Sequence, residues 1–296
     1  MKWMVRSLSA IAVAAALAVP FVQQMDMDGG VYQAGNTEKT KVRQLRSSKG
    51  RNQLRLPVID ESLSRQTRVV PDFSEIVDVN ERKKEFFAYL LPAIEEMNDR
   101  VMAQREELYR LQVKLATGQT MLEEEQNWLE SMVEYYRVDA DSRDAQFDVL
   151  MRRVDIVPST LVLIQAANES GWGTSRFARE GLNFFGQWCW TEGCGIVPAA
   201  RPAGQSYEVR QFESMEASVE AFILNLNTHF AYKDLREMRL QERESDDTVT
   251  SVTMTAGLMS YSERGQDYID ELNQMIRINR PIIDEVRETF LVDVNM

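Results

Sequence analysis

The sequence predicts an α+β protein, mainly helical, in which one small β-hairpin lobe is set among helices. Apolar residues recur at helical spacing from Val79 to Arg137 and again after Ser214, whereas Gln187 to Phe212 is rich in glycine, proline and β-formers. Length points the same way: 296 residues at 44% hydrophobic content bury a sizeable core, so at least one ordinary globular domain is expected.

Taken in order, Lys2 and Arg6 precede an apolar run from Leu8 to Val19, and Ala16-Leu17-Ala18 supplies the small residues of an A-x-A-like cleavage site. Residues 1–22 therefore read as an export signal. The run is shorter than the roughly 20 residues that cross a bilayer, which favours cleavage over a retained signal anchor that would tether the chain to a membrane. Residues 23–75 carry few large apolar side chains and many cations, among them Lys39, Lys41, Arg43, Arg46, Lys49 and Arg51, and read as a flexible linker. Residues 76–140 predict a helical hairpin. Its first arm presents Phe86, Phe87, Leu90, Leu91, Ile94, Met97, Val101, Leu108 and Leu111; Gly118 breaks it; the second arm presents Leu122, Trp128, Leu129, Met132, Val133 and Tyr136. Stripes of this kind usually pack, so the hairpin is expected to lie against the domain that follows, residues 141–290.

The composition excludes several kinds of chemistry. A formal net charge of -12 opposes binding to nucleic acid, which needs clustered Lys and Arg. His229 is the one histidine, so neither a His-rich metal site nor a Ser-His-Asp arrangement with a recognisable nucleophile motif can be assembled, and no metal or organic cofactor is expected. Two cysteines, Cys189 and Cys194, lie close enough in sequence to close a small disulfide loop in an oxidising compartment. Metal binding by two thiols alone is the weaker alternative.

Candidate chemistry begins at Pro158. Pro158-Ser159-Thr160 starts a helix that places Leu161, Ile164, Gln165 and Asn168 on one face, and Gly171 stops it. Glu169 then falls in the last turn, where the negative end of the helix macrodipole disfavours its ionised form. Burial would act in the same direction. Both effects raise the pKa, as a carboxylic acid must have if it is to serve as a proton donor near neutral pH. Beyond it come a short helix at Ser175 to Glu180, an aromatic turn at Asn183-Phe184-Phe185-Gly186, and the β lobe. Trp172, Trp188, Trp190 and Tyr207 supply aromatic surface of the type that sugar sites use, although each type is also common in cores. Amphipathic helices follow through Val219, Phe222, Ile223, Leu226 and Phe230, then Asp234 to Glu242 and Thr248 to Met259, and lastly one carrying Tyr268, Ile269, Leu272 and Ile276.

Gln165-Ala166-Ala167-Asn168-Glu169-Ser170-Gly171-Trp172-Gly173, followed by Asn183-Phe184-Phe185-Gly186 and the later Tyr261-Ser262 to Tyr268 segment, resembles bacterial glucosaminidases of the lysozyme-like superfamily. Within that family the similarity is to the Bax-like branch, with the flagellar muramidase more distant. It spans about Val154 to Ile278. The resemblance implies a lysozyme-like fold and hydrolysis of the β-1,4 bond of N-acetylglucosamine in peptidoglycan glycan strands, in the periplasm or cell envelope; the domain family is also labelled amidase. It carries the catalytic acid onto Glu169 and a tyrosine near the reacting sugar onto Tyr261. Asn183, Phe184 and Gly186 match the turn lining the cleft, and Gln165, Trp172 and Tyr268 lie in the matching blocks as expected substrate-binding residues.

The second carboxylate has no unambiguous counterpart. Glu208, which strand alternation could aim into a cleft, is preferred to Glu192 inside the cysteine loop. An inverting route needs that group about 6.5–9.5 Å from the acid and a retaining one about 5–5.5 Å; without either, the substrate's own acetamido group could attack. Two other readings compete. A lytic transglycosylase would leave anhydro-sugar ends, and a non-catalytic wall-binding scaffold would bind glycan and release nothing.

Overall fold

A computed structural model describes residues 56–60, 70–202, 204–245 and 248–295. The expected export signal, and most of the expected linker, lie outside those residues. Among the described residues no helix is long and apolar enough to cross a membrane.

The first helix, α1 (Val79–Ala116), starts where the Asp78 carboxylate accepts the Glu81 N–H. Its stripe of Phe86, Phe87, Leu90, Leu91, Ile94, Met97, Val101, Leu108 and Leu111 is buried. Gly118 then takes a left-handed φ of 75° and turns the chain toward α2 (Glu123–Tyr135). The α2 start is fastened to α1: the Glu125 carboxylate accepts the Leu122 N–H and pairs with Lys114 at 2.6 Å and with Arg110. Next come α3 (Arg143–Arg153) and α4 (Ser159–Ser170). Every α4 residue from Leu161 to Ala167 is buried, and a helix apolar on all sides is a central one. It packs against α1 and against α9 (Gln266–Asn295). One buried apolar cluster runs from Phe73 to Val286 and unites α1 and α4 with α6 (Met215–Thr228) and α9.

Between α5 (Arg176–Gly181) and α6 lies the small β element. It is a three-stranded antiparallel sheet, with β3 (Glu208–Arg210) between β1 (Trp188–Cys189) and β2 (Gly195–Ile196), where the sequence suggested one hairpin. Trp188 pairs with Val209 and Cys189 with Glu208 on one side; Gly195 pairs with Arg210 and Ile196 with Val209 on the other. Gly195 is fixed by space, since a Cβ there would fall 2.0 Å from the Val209 carbonyl oxygen.

The remaining helices, α7 (Lys233–Glu244) and α8 (Ser251–Thr255), pack on each other and close the side of the molecule next to α3 and α4. A buried ion cluster ties α7 in. Asp155 accepts hydrogen bonds from Arg243 at 2.8 and 3.2 Å, with Arg105 and Arg239 within 4 Å. Arg239 also donates to the backbone carbonyls of Arg152, Asp155 and Ile156, satisfying acceptors that the end of α3 leaves open. Burial works against the charge on Asp155, and the three guanidinium groups overcome it, holding the pKa at about 2.

Candidate active site

The end of α4 is an unusual turn. Gly171, Trp172 and Gly173 take successive left-handed φ values of 58°, 59° and 75°. Ser170 locks the run, because its hydroxyl donates to the Ala166 carbonyl at 2.6 Å and accepts the Gly173 N–H at 2.8 Å. A Cβ on Gly173 would sit 2.4 Å from the Phe73 ring, so no larger residue fits. Trp172 tolerates a conformation that costs a non-glycine residue of order 1 kcal/mol because its ring is anchored. It meets Phe86 at 5.9 Å and Phe87 at 5.4 Å, both edge-on, and the Lys83 ammonium sits 5.0 Å from its centre. Trp172 thus wedges the end of α4 onto α1. The sequence suggested a substrate-binding role for Trp172; its ring is partly buried by these contacts.

That turn fixes Glu169, which is part buried at the end of the helix. One carboxyl oxygen, Oε1, accepts the Tyr268 hydroxyl at 3.0 Å. The other, Oε2, lies beside Gly186, where a Cβ would be 3.7 Å away. Glycine there has a left-handed φ of 64° and places no side chain against Oε2. Burial raises the Glu169 pKa; the Tyr268 hydrogen bond opposes it, Glu271 adds to the rise and Arg264 opposes it. The expected direction at the helix end is therefore found, with desolvation as its main cause.

Three tyrosines gather at this carboxyl. Tyr268 is buried on α9 and accepts the Gln165 side-chain N–H at 3.4 Å while donating to Glu169. Gln165 and Tyr268 thus form a short relay behind the acid, where the sequence suggested direct substrate contact. Tyr261 stacks on Tyr268 with centroids 5.4 Å apart and planes 13° from parallel, and donates its hydroxyl to the Phe185 carbonyl at 3.2 Å. Tyr232 approaches the Tyr261 ring at 6.0 Å. Burial pushes its phenol up to about 12; a hydrogen bond with Asn225 opposes the rise and the Glu169 charge adds to it. Sequence reasoning missed Tyr232, which reaches the acid only through the short 3-10 turn at Phe230–Tyr232 after α6. His229, at the same turn, accepts the Ala231 N–H on Nδ1 and packs against Tyr232, a structural role.

The aromatic turn is held from within. Asn183 donates to the carbonyls of Gln187 and Arg210, each at 2.8 Å, and accepts the N–H groups of Phe185 at 3.3 Å and Gln187 at 3.0 Å. Phe184 is fully buried against Phe86 and Tyr89. Of the three residues expected to line a cleft, Gly186 faces the acid; Asn183 and Phe184 position it from below.

Glu208, the preferred second carboxylate, is engaged within the β lobe. Its carboxylate turns onto the cysteine loop, accepting the Gly193 N–H at 3.1 Å on one oxygen and the Gly195 N–H at 2.8 Å on the other. Arg201 lies 3.8 Å away. Those two backbone donors, first Gly193 and then Gly195, hold its pKa below the usual carboxylate value. Strand alternation settles the face of a side chain but not the donors that capture it, and here the loop captures both oxygens. Glu192 is exposed on the same loop. Cys189 and Cys194 are joined in a disulfide beside Glu208, which withholds the thiolates that a metal would require. Glu271, whose charge reaches Glu169, is engaged by Arg264 at 2.6 Å.

A part-buried carboxyl whose pKa is raised by burial, with one phenol donating to Oε1, is an arrangement suited to a general acid. The chain is 34% identical over 222 residues to "Protein bax" of Escherichia coli strain K12, a match covering 74% of this chain and 78% of that protein. It belongs to the glucosaminidase family, on its Bax-like branch. The family model described as mannosyl-glycoprotein endo-beta-N-acetylglucosaminidase matches residues 144–280, which contain Glu169, the aromatic turn, the β sheet and all three tyrosines. No solved structure matches the chain.

Proposed function

We propose that this glucosaminidase-family member is an endo-β-N-acetylglucosaminidase that hydrolyses the β-1,4 bond of N-acetylglucosamine in peptidoglycan glycan strands. One observation supports the reading: Glu169 sits part buried at the end of α4 with the Tyr268 hydroxyl on Oε1 and Gly186, which has no side chain, beside Oε2, so Oε2 is the oxygen assigned the proton. Delivered to the glycosidic oxygen, it makes the leaving sugar neutral, and the Tyr268 hydrogen bond strengthens as the carboxylate forms. The commitment of both Glu208 oxygens to the cysteine loop supports the acetamido carbonyl of the substrate as the nucleophile. That route retains the anomeric configuration. The export signal read in residues 1–22 and the disulfide both suit a periplasmic or envelope location.

Digestion of purified peptidoglycan followed by mass spectrometry tests the reading. Reducing-end N-acetylglucosamine is expected; anhydromuramic ends would assign a lytic transglycosylase, and binding without release would assign a wall-binding scaffold. Glu169→Gln should lower the rate by at least about 1,000-fold, the scale of losing an essential acid. Its raised pKa means that the folded state penalises ionised Glu169, so this group's own contribution to stability is full below the unfolded carboxylate pKa and is lost as pH rises through the folded one. The glutamine variant should therefore melt at or above the natural temperature at neutral pH, with the difference closing in acid. Full activity in this variant would remove Glu169 from the mechanism.

A further inference from the structure

Trp190 is 61% exposed, in contrast to Trp128, which is buried, and Trp172, which is partly buried against Phe86 and Phe87. A large indole left in water forfeits burial, yet the segment that carries it is held from several sides. The Cys189–Cys194 disulfide closes the loop around it with Cα atoms 6.2 Å apart. Both Glu208 oxygens hold the far side of the loop through Gly193 and Gly195. Tyr207 meets Trp190 at 6.3 Å and Trp188 at 5.0 Å, each ring near a right angle, so three aromatic rings form a continuous rank. Arg201 fixes the base of that rank by donating to the Tyr207 carbonyl at 3.2 Å.

The rank starts where the acid site ends. Gly186 faces Glu169 Oε2, β1 begins two residues later at Trp188, and Trp190 follows two residues beyond. At the ~3.3 Å per residue of extended chain, Trp190 is at most about 13 Å along the strand from Gly186. The loop's single charged side chain is the exposed Glu192, which disfavours acidic ligands and leaves neutral ones unaffected.

We propose that Trp190 is a stacking platform for a neutral N-acetylated sugar ring of the glycan strand, at a position beyond the ring whose bond Glu169 protonates. The Cys189–Cys194 disulfide and Glu208 are its positioning groups. They hold the indole ready before the sugar arrives, so that little ordering is needed on binding. This rests on the glycan reading of the Glu169 site, and it gives Glu208 a function that its captured carboxylate can perform.

The test uses the full chain carrying Glu169→Gln, so that ligands are not turned over, and measures calorimetric affinity for N-acetylglucosamine dimer and hexamer. Adding Trp190→Ala should weaken hexamer binding about tenfold, the cost of losing a buried aromatic anchor, and move dimer binding by less than twofold. Trp190→Phe should recover most of the loss, and Cys189→Ser with Cys194→Ser should reproduce it. Equal hexamer affinity with and without the indole overturns the platform. So does a loss that falls equally on dimer and hexamer. A parent protein that binds no oligomer also overturns it. The fate of the Glu169 reading is then decided separately, by whether the natural protein releases reducing ends from peptidoglycan.

Discussion

Removing the Tyr268 hydroxyl, in Tyr268→Phe, should lower kcat while moving the alkaline limb of activity to higher pH. The structure sets both directions. Tyr268 donates to Glu169 Oε1 at 3.0 Å, and a bond of this type is worth ~0.5–1.5 kcal/mol to a neutral acceptor and ~1.5–3 kcal/mol to a charged one. As Glu169 gives up its proton, the bond passes from the first kind to the second, so the hydroxyl favours the transition state by about 1–2 kcal/mol, or roughly 5–30-fold in kcat. The same donor opposes the burial-driven rise in the Glu169 pKa. Without it the acid holds its proton to higher pH, and because the protonated form is the active one, activity persists further into base. The assay is initial rate against pH on soluble glycan fragments under saturating substrate, with unfolding followed in parallel because Gln165 loses its acceptor. A limb that moves toward acid, or an unchanged kcat, would refute the assignment of Tyr268 as the phenol that holds the acid.

Two further substitutions test the framework. Asn183→Ala strips four hydrogen bonds from the buried turn that carries Gly186 and should cost about 2–4 kcal/mol in urea unfolding, since each stranded backbone group costs ~1–3 kcal/mol before water recovers part of it; a loss below 1 kcal/mol would show that the turn is held by other means. Asp155→Asn leaves Arg105, Arg239 and Arg243 without their shared carboxylate and should destabilise by about 3–5 kcal/mol near neutral pH. Because the Asp155 pKa lies at about 2, below its ordinary 3.8, this contribution is complete above the ordinary value and is lost as pH falls through the folded one. Melting curves between pH 7 and pH 2 should show the gap to the natural protein narrowing only at the acid end.

The place of Glu169 at the end of an apolar helix was legible from Gly171 and the residues before it, whereas the role of acid came only from the family resemblance. The cysteine pair was legible from proximity in sequence. Tyr261 and Tyr268 were found as residues, but their parts were not, since a phenol that holds a carboxyl and one that touches a sugar have the same local pattern. Trp172 shows the same limit. An indole beside two glycines reads as surface until Phe86 and Phe87, more than eighty residues earlier, are seen to cover it. The partners of Glu208 were not legible, because the two loop N–H groups that its carboxylate accepts depend on the disulfide fold of the neighbouring strands. Tyr232 carried no signal, since its approach to the acid depends on how α6 and α7 meet.

The shared core of α1 and α4 sets a limit on where this protein can be cut. The segment that matches the family model begins at 144, yet the wall against which the acid-bearing helix rests comes from Phe86, Phe87 and Leu90, well upstream. A fragment trimmed to the matched segment would present the bare flank of α4 to water and lose the partner rings that hold Trp172 in its left-handed bend. The upstream helix is thus a buttress of the turn that carries Glu169, and the smallest piece able to keep Glu169 in place must start before α1.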